Sequence, residues 1–183
     1  MTRIIAGTYG GRRLQAPPGD GTRPTTDRVR EALFSSLQSE FGSLDGLRFL
    51  DLFAGSGAIG LEAASRGAAH VDLVENDRRA AQVITANITE LKCRVAQVRS
   101  QPVERFIQGT PAAPYDLIFL DPPYAFDHAA LEQLLREISS PTWLADGGVV
   151  VVERSRRDAF AWPEPLDALR DKKYGETVLW YGH

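Results

Sequence analysis

Four largely apolar runs, at 47–52, 71–74, 117–120 and 149–152, do not follow a strict polar–apolar alternation. A strand with one wet face alternates polar and apolar residues, whereas a strand covered on both faces does not, which is the condition of a parallel sheet. Between the runs the spacing becomes helical, with Ala81, Ile84, Ile88 and Leu91 on one segment and Leu131, Leu134, Leu135 and Ile138 on another. Strand and helix alternating from residue 47 onward predict a doubly wound α/β fold. Such sheets bind ligands beyond the carboxyl ends of their strands. Ahead of this region, Val29, Leu33, Leu37 and Phe41 predict a helix over 26–41 with Thr25 as its N-cap. Residues 2–16 predict two short strands around Tyr9-Gly10-Gly11, and the Pro/Gly-rich stretch at 16–21 a linker. The expected division is therefore a hairpin extension and linker at 1–24, then a single domain at 25–183 that includes the helix.

What stands after the first run narrows the ligand. Asp51-Leu52-Phe53-Ala54-Gly55-Ser56-Gly57-Ala58-Ile59-Gly60 leads into a helix, and Glu75 closes the next run. Gly55, Gly57 and Gly60 match the glycine pattern that lets a backbone approach an adenosine-bearing ligand, and an acid at 75 suits ribose hydroxyls. Nicotinamide dinucleotides and S-adenosylmethionine both meet that description. Asp51 separates them. A dinucleotide would set its pyrophosphate over this turn, facing a carboxylate, while S-adenosylmethionine brings an ammonium and a sulfonium. Unit charges at roughly 5 Å and an effective dielectric near 20 interact by about 3 kcal/mol, so the sign favours the cation. A serine hydrolase is excluded as well, because Ala54 breaks the Gly-x-Ser-x-Gly elbow around Ser56.

The third run ends on Asp121-Pro122-Pro123-Tyr124. An exocyclic amine on a nucleobase is a poor nucleophile, since its lone pair is delocalised into the ring. Acceptors aimed at its protons draw the nitrogen toward tetrahedral geometry and release that pair. The Asp121 carboxylate and the Pro122 carbonyl are such acceptors, held by the stiffness of Pro122 and Pro123. Tyr124 offers a ring for the base to stack on, worth about 1–3 kcal/mol. This motif does not choose between guanine N2 and adenine N6.

Charge is unevenly spread. Residues 1–30 carry six arginines against Asp20 and Asp27, a balance of +4 that leaves −7 for the rest of a chain whose net charge is −3. A basic arm on an acidic body suggests an anionic partner met at one end, with Arg12, Arg13, Arg23, Arg28 and Arg30 as phosphate contacts. Arg154, Arg156 and Arg157, after the fourth run, are further candidates. Cys93 is the one cysteine, and His70, His128 and His183 are too scattered for metal-ligand spacing, so neither a disulfide nor a metal is expected. With no run near the roughly 18 apolar residues of a membrane span and no signal peptide, the expected location is the cytoplasm.

Asp-Pro-Pro-Tyr after a strand, together with the 53–57 turn, resembles the class I amino-methyltransferases. Arg3-Ile4-Ile5-Ala6-Gly7, Gly11-Arg12-Arg13-Leu14 and Arg23-Pro24-Thr25-Thr26-Asp27-Arg28-Val29-Arg30-Glu31-Ala32-Leu33-Phe34 resemble the RsmD family of bacterial ribosomal RNA methyltransferases, over nearly the whole chain. The resemblance implies methylation of a guanine N2 amine in 16S rRNA of the small ribosomal subunit or its precursor. It implies a Rossmann-like seven-stranded mixed sheet whose last strand is antiparallel, preceded by the basic hairpin. Carried over by position, Asp121, Pro122, Pro123 and Tyr124 would hold the guanine. Asp51, Phe53, Gly55 and Gly57 would line the methionine part of S-adenosylmethionine, Glu75 would take the ribose, and Asn76 would lie beside the adenine. Relatives often carry an acid after the third strand; here the region reads Arg99-Ser100-Gln101, which leaves backbone groups or Ser100 to serve that position. Two readings of other classes stay open on these residues: a nicotinamide oxidoreductase, and a ribosome assembly factor without catalysis.

Overall fold

The computed structural model describes residues 2–19 and 25–183, so Arg23 and part of the expected linker lie outside the described residues. Strands β1 (Thr2–Arg3) and β2 (Arg13–Leu14) pair antiparallel and are followed by helix α1 (Asp27–Phe41). Then come β3 (Arg48–Asp51), α2 (Ala58–Ser65), β4 (His70–Glu75), α3 (Arg78–Leu91), β5 (Ala96–Ser100) and α4 (Val103–Ile107). The chain ends with β6 (Tyr115–Leu120), α5 (His128–Ile138), β7 (Leu144–Ser155), β8 (Ala168–Tyr174) and β9 (Thr177–Gly182). The main sheet has seven strands in the order β5-β4-β3-β6-β7-β9-β8. Strands β3 to β7 run parallel, and β9 is antiparallel to both of its neighbours. The doubly wound sheet expected from the alternation is the fold found, and it is mixed with seven strands, as the family resemblance implies.

Residues alternate between two cores, as a period of two requires. On one face, Phe49, Leu73, Leu117, Phe119 and Val151 pack under α1, α2 and α3. On the other, Leu50, Val74, Ile118, Leu120 and Val152 pack under α4 and α5. Local chemistry sets where helices begin: Asp77 and Asp127 accept from the Ala80 and Ala130 N–H groups and cap α3 and α5. The cap of α1 is Thr26, which accepts from the Val29 N–H, and not Thr25. Thr25 sits one residue too early, and its hydroxyl instead donates to Glu153 Oε2 at 3.0 Å.

The N-terminal extension shares the core of the domain, with Ile4 and Leu14 buried beside Leu33 and Leu61. Glu62, fully buried on α2, stitches it down. One carboxylate oxygen accepts from the Ile5 N–H at 2.8 Å; the other accepts from the Ala6 N–H at 3.1 Å and from Arg66 Nε at 2.8 Å. Gly7 adopts φ +84°, and a Cβ there would stand 1.9 Å from the Ser65 carbonyl oxygen, so only glycine permits this approach. Arg30 belongs to the same seam. It is 1% exposed and donates to the Arg3 carbonyl and to Asp27, so it is a clamp on the extension and cannot reach a phosphate. Among the described residues, no helix is long and apolar enough to cross a membrane, and no group of three metal-ligating side chains forms.

Candidate active site

The parallel strands β4, β3, β6 and β7 carry acids at or near their carboxyl ends: Glu75, Asp51, Asp121 and Glu153. Register aligns them. Leu120 pairs with Val152, so Asp121 and Glu153 follow side by side, and Asp51 pairs with both Leu73 and Phe119. Leu50, Leu120 and Val152 point into the α4–α5 core, so by alternation Asp51, Asp121 and Glu153 face the other side, toward α1 and α2.

Asp51 is the deepest of the four, at 1% exposure. Its Oδ2 accepts from the Gly60 N–H at 3.2 Å, at the first turn of α2. The Phe53 N–H pulls weakly on the carboxylate without reaching hydrogen-bond geometry, and Oδ1 is left buried with no partner. Burial, followed by the charges of Glu75 and Glu153, raises its pKa to about 7 against the pull of the two N–H groups. The turn beside it is open. Gly55 has φ +55° with no atom within 4 Å of where a Cβ would stand, and Gly57 opens α2 in the left-handed region. Gly60 lets the helix lie against the sheet, where a Cβ would meet Leu73 at 2.6 Å. Glu75 spans the turn: Oε2 accepts from the Gly55 N–H at 2.7 Å and Oε1 from the Asp77 N–H at 2.8 Å. Asn76 is exposed between them, and Ser100 is exposed at the end of β5, level with Glu75.

Asp121 is partly buried, and its carboxyl is held well above the usual range by burial and then by the charges of Glu153 and Asp51, with Arg154 opposing. Pro122 is buried and Pro123 exposed, and the Phe126 N–H donates to the Pro123 carbonyl at 2.8 Å, closing the loop into a turn. Tyr124 stands 90% exposed, a ring with an open face. Phe53 and Phe126 meet edge to face at 5.1 Å and tie the glycine turn to the Asp-Pro-Pro-Tyr loop. Of the basic candidates, Arg12, Arg13, Arg28, Arg156 and Arg157 are exposed. Arg154 is not one of them: it is buried and paired with Asp158 at 3.1 Å, so its charge is spent inside the fold.

Four residues of the site escaped the reading of the sequence: Thr25 in this role, Asn87, Phe126 and Glu153. Asn87 is buried, exchanges hydrogen bonds with the Gln15 backbone, and donates to the Ser56 carbonyl at 3.5 Å, joining the extension to the glycine turn. A signal for Glu153 was present, because an acid follows each of the runs 71–74, 117–120 and 149–152, and Glu153 follows the last.

An orphaned carboxylate oxygen beside an open glycine turn, with a second acid bridging that turn, fits the cationic and hydroxyl groups of S-adenosylmethionine. With the strand order β5-β4-β3-β6-β7-β9-β8, it defines a class I S-adenosylmethionine-dependent methyltransferase. The family described as Conserved hypothetical protein 95 matches residues 2–183. The chain is 42% identical over 153 residues to ribosomal RNA small subunit methyltransferase D of Escherichia coli, covering 82% of this chain and 73% of that one. It is 39% identical over 181 residues to the putative rRNA methyltransferase YlbH of Bacillus subtilis, covering 96% and 95%. A solved structure of the putative methyltransferase yhhF from Escherichia coli superposes with a TM-score of 0.84 at 36% identity, covering 99% of this chain and 96% of that one. The chain belongs to the RsmD family.

Proposed function

We propose that this protein transfers a methyl group to the N2 amine of a guanine in 16S rRNA of the small ribosomal subunit or its precursor, in the cytoplasm. The observation that carries the reading is the row of acids around an unpartnered Asp51 oxygen, whose charge disfavours a polyphosphate and suits a sulfonium. S-adenosylmethionine supplies, when bound, an electron-poor methyl carbon on that sulfonium. Asp51, Phe53, Gly55 and Gly57 line its methionine part, Glu75 takes its ribose hydroxyls, and Asn76 and Ser100 flank its adenine. The guanine stacks on Tyr124. Its N2 protons are accepted by Asp121 and by the Pro122 carbonyl, which frees the nitrogen lone pair for the methyl carbon. With the methyl donor bound, transfer to this nitrogen would leave the amine one proton to lose, and Asp121 would accept it. Burial and then the charges of Glu153 and Asp51 favour the protonated form of this carboxyl. Much of the acceleration comes from alignment, up to about 7–11 kcal/mol for well-placed reactants. Exposed Arg12, Arg13 and Arg28 on and beside the extension hold RNA phosphates, with Arg23 on the same segment. So small an appendage suits a base already splayed from its stack.

Asp121→Ala tests this. Methylation of small subunits from a strain lacking the modification, read with labelled S-adenosylmethionine and mapped to the nucleotide, is expected to fall by about 10²–10³ or more. Cofactor affinity in the same variant should change little. Equal loss of both would mean that Asp121 builds the cofactor pocket and does not act on the amine.

A further inference from the structure

Asp-Pro-Pro-Tyr grips an amine without saying which base carries it, and that choice needs a group reading the ring nitrogen beside the amine. Guanine presents N1–H next to its N2 amine, so its edge offers donors side by side. Adenine, beside its own amine, presents N1 as a bare lone pair. A carboxylate next to Asp121 would accept from the first and repel the second. Glu153 is in that place. It follows Val152, the register partner of Leu120, as Asp121 follows Leu120, and neighbouring strands lie about 4.8 Å apart. Both side chains leave the sheet on the α1–α2 face. Of the charges acting on Asp121, that of Glu153 is the largest.

A second contact ties this carboxylate to the RNA-facing part of the molecule. The Thr25 hydroxyl donates to Glu153 Oε2 at 3.0 Å, from the residue just ahead of the α1 cap. A carboxylate accepts up to about four hydrogen bonds, and this one helps to orient the group. Resting on the guanine reading above, we propose that Glu153 is the residue that selects guanine, accepting its N1–H while Asp121 and the Pro122 carbonyl take the N2 amine, with Thr25 holding the Glu153 carboxylate in position.

The test uses the full-length enzyme and small subunits reconstituted with 16S rRNA bearing guanine or 2-aminopurine at the mapped nucleotide. 2-Aminopurine keeps the 2-amine but has a lone pair at N1. For the wild type, kcat/KM should favour guanine strongly. In Glu153→Gln the amide can donate to that lone pair, so the preference should shrink on the order of 10- to 100-fold, the range set by hydrogen bonds to charged groups. Thr25→Val, which leaves the carboxylate in place but unheld, should shrink it in the same direction by less, and serves alone should Glu153→Gln lose cofactor binding. If both substrates slow by one common factor and the preference is untouched, Glu153 does not read N1 and the proposal fails. Wild-type enzyme that modifies no guanine would instead remove the underlying reading, a separate and distinguishable result.

Discussion

Two aspartates are buried in this sheet to nearly the same depth, one near each end, and they are treated in opposite ways. Asp72 on β4, 2% exposed, is surrounded by donors: Arg99 Nε at 2.8 Å, His70 Nε2 at 2.6 Å and the Tyr115 hydroxyl at 2.5 Å. Burial alone would push its carboxyl up, but the hydrogen bonds from Tyr115, Arg99 and His70 bring it below its ordinary value. Asp51 on β3, 1% exposed, has one backbone donor, an orphaned oxygen and two acids nearby, and its carboxyl sits at about 7. The first arrangement is what a buried charge needs for stability. The second is a charge left incomplete, and the groups that would complete it are cationic. A strained electrostatic site at the carboxyl edge, set against a satisfied one near the other end, is the difference between binding and holding together.

That contrast breaks most visibly at Asp72. Asp72→Ala strands the buried Tyr115 hydroxyl, while Arg99 and His70 can turn to water. The loss should be about 2–4 kcal/mol, or roughly 5–15 °C in melting temperature, with cofactor affinity unchanged once folded. Asp51→Asn should do the reverse. S-adenosylmethionine affinity, measured by titration calorimetry, should drop about 10- to 100-fold. Its melting temperature without cofactor should not fall, because the amide oxygen can still accept from the Gly60 N–H, and should rise above pH 7, where the buried charge is removed. A large fall in melting temperature in Asp51→Asn would make that carboxylate a structural group like Asp72 and erase the distinction.

How much of this was legible follows from which residues are covered on both faces. The strands β3, β4, β6 and β7 lie inside the sheet, so their largely apolar runs announce them, and their carboxyl ends announce the acids. β5 and β8 are edge strands, and Ala-Gln-Val-Arg-Ser and Ala-Leu-Arg-Asp-Lys-Lys-Tyr show no run of that kind because one side faces water. The extension misled on Arg30 for a related reason. A row of arginines looks alike on paper, and only the approach of Arg3 and Glu62 to α1 turns one of them inward. Arg154 was hidden by its strand, where alternation buries it and Asp158 answers it. Phe126 is meaningful only through its ring contact with Phe53, and the place of Glu153 beside Asp121 only through register, both of which join residues distant in the chain.

The smallest effect is the most specific, because it depends on pH and on one group. A carboxyl whose folded value is raised stabilises the protein fully below its unfolded value near 3.8, and that contribution is lost as pH rises through the folded value of about 7. The protein without cofactor is therefore expected to be less stable at pH 8 than at pH 6 on account of Asp51. Cofactor binding has the opposite sense, since a sulfonium or ammonium favours the ionised form. Between pH 6 and pH 8 the ionised fraction rises from about one tenth to about nine tenths, so affinity should tighten about tenfold. In Asp51→Asn the dependence should flatten, whereas in Asp72→Asn it should persist, because a carboxyl held below its ordinary value does not titrate in that window. Affinity that is level from pH 6 to pH 8 in the wild type, or equally steep in Asp51→Asn, would show that the orphaned oxygen is not the group that meets the cation.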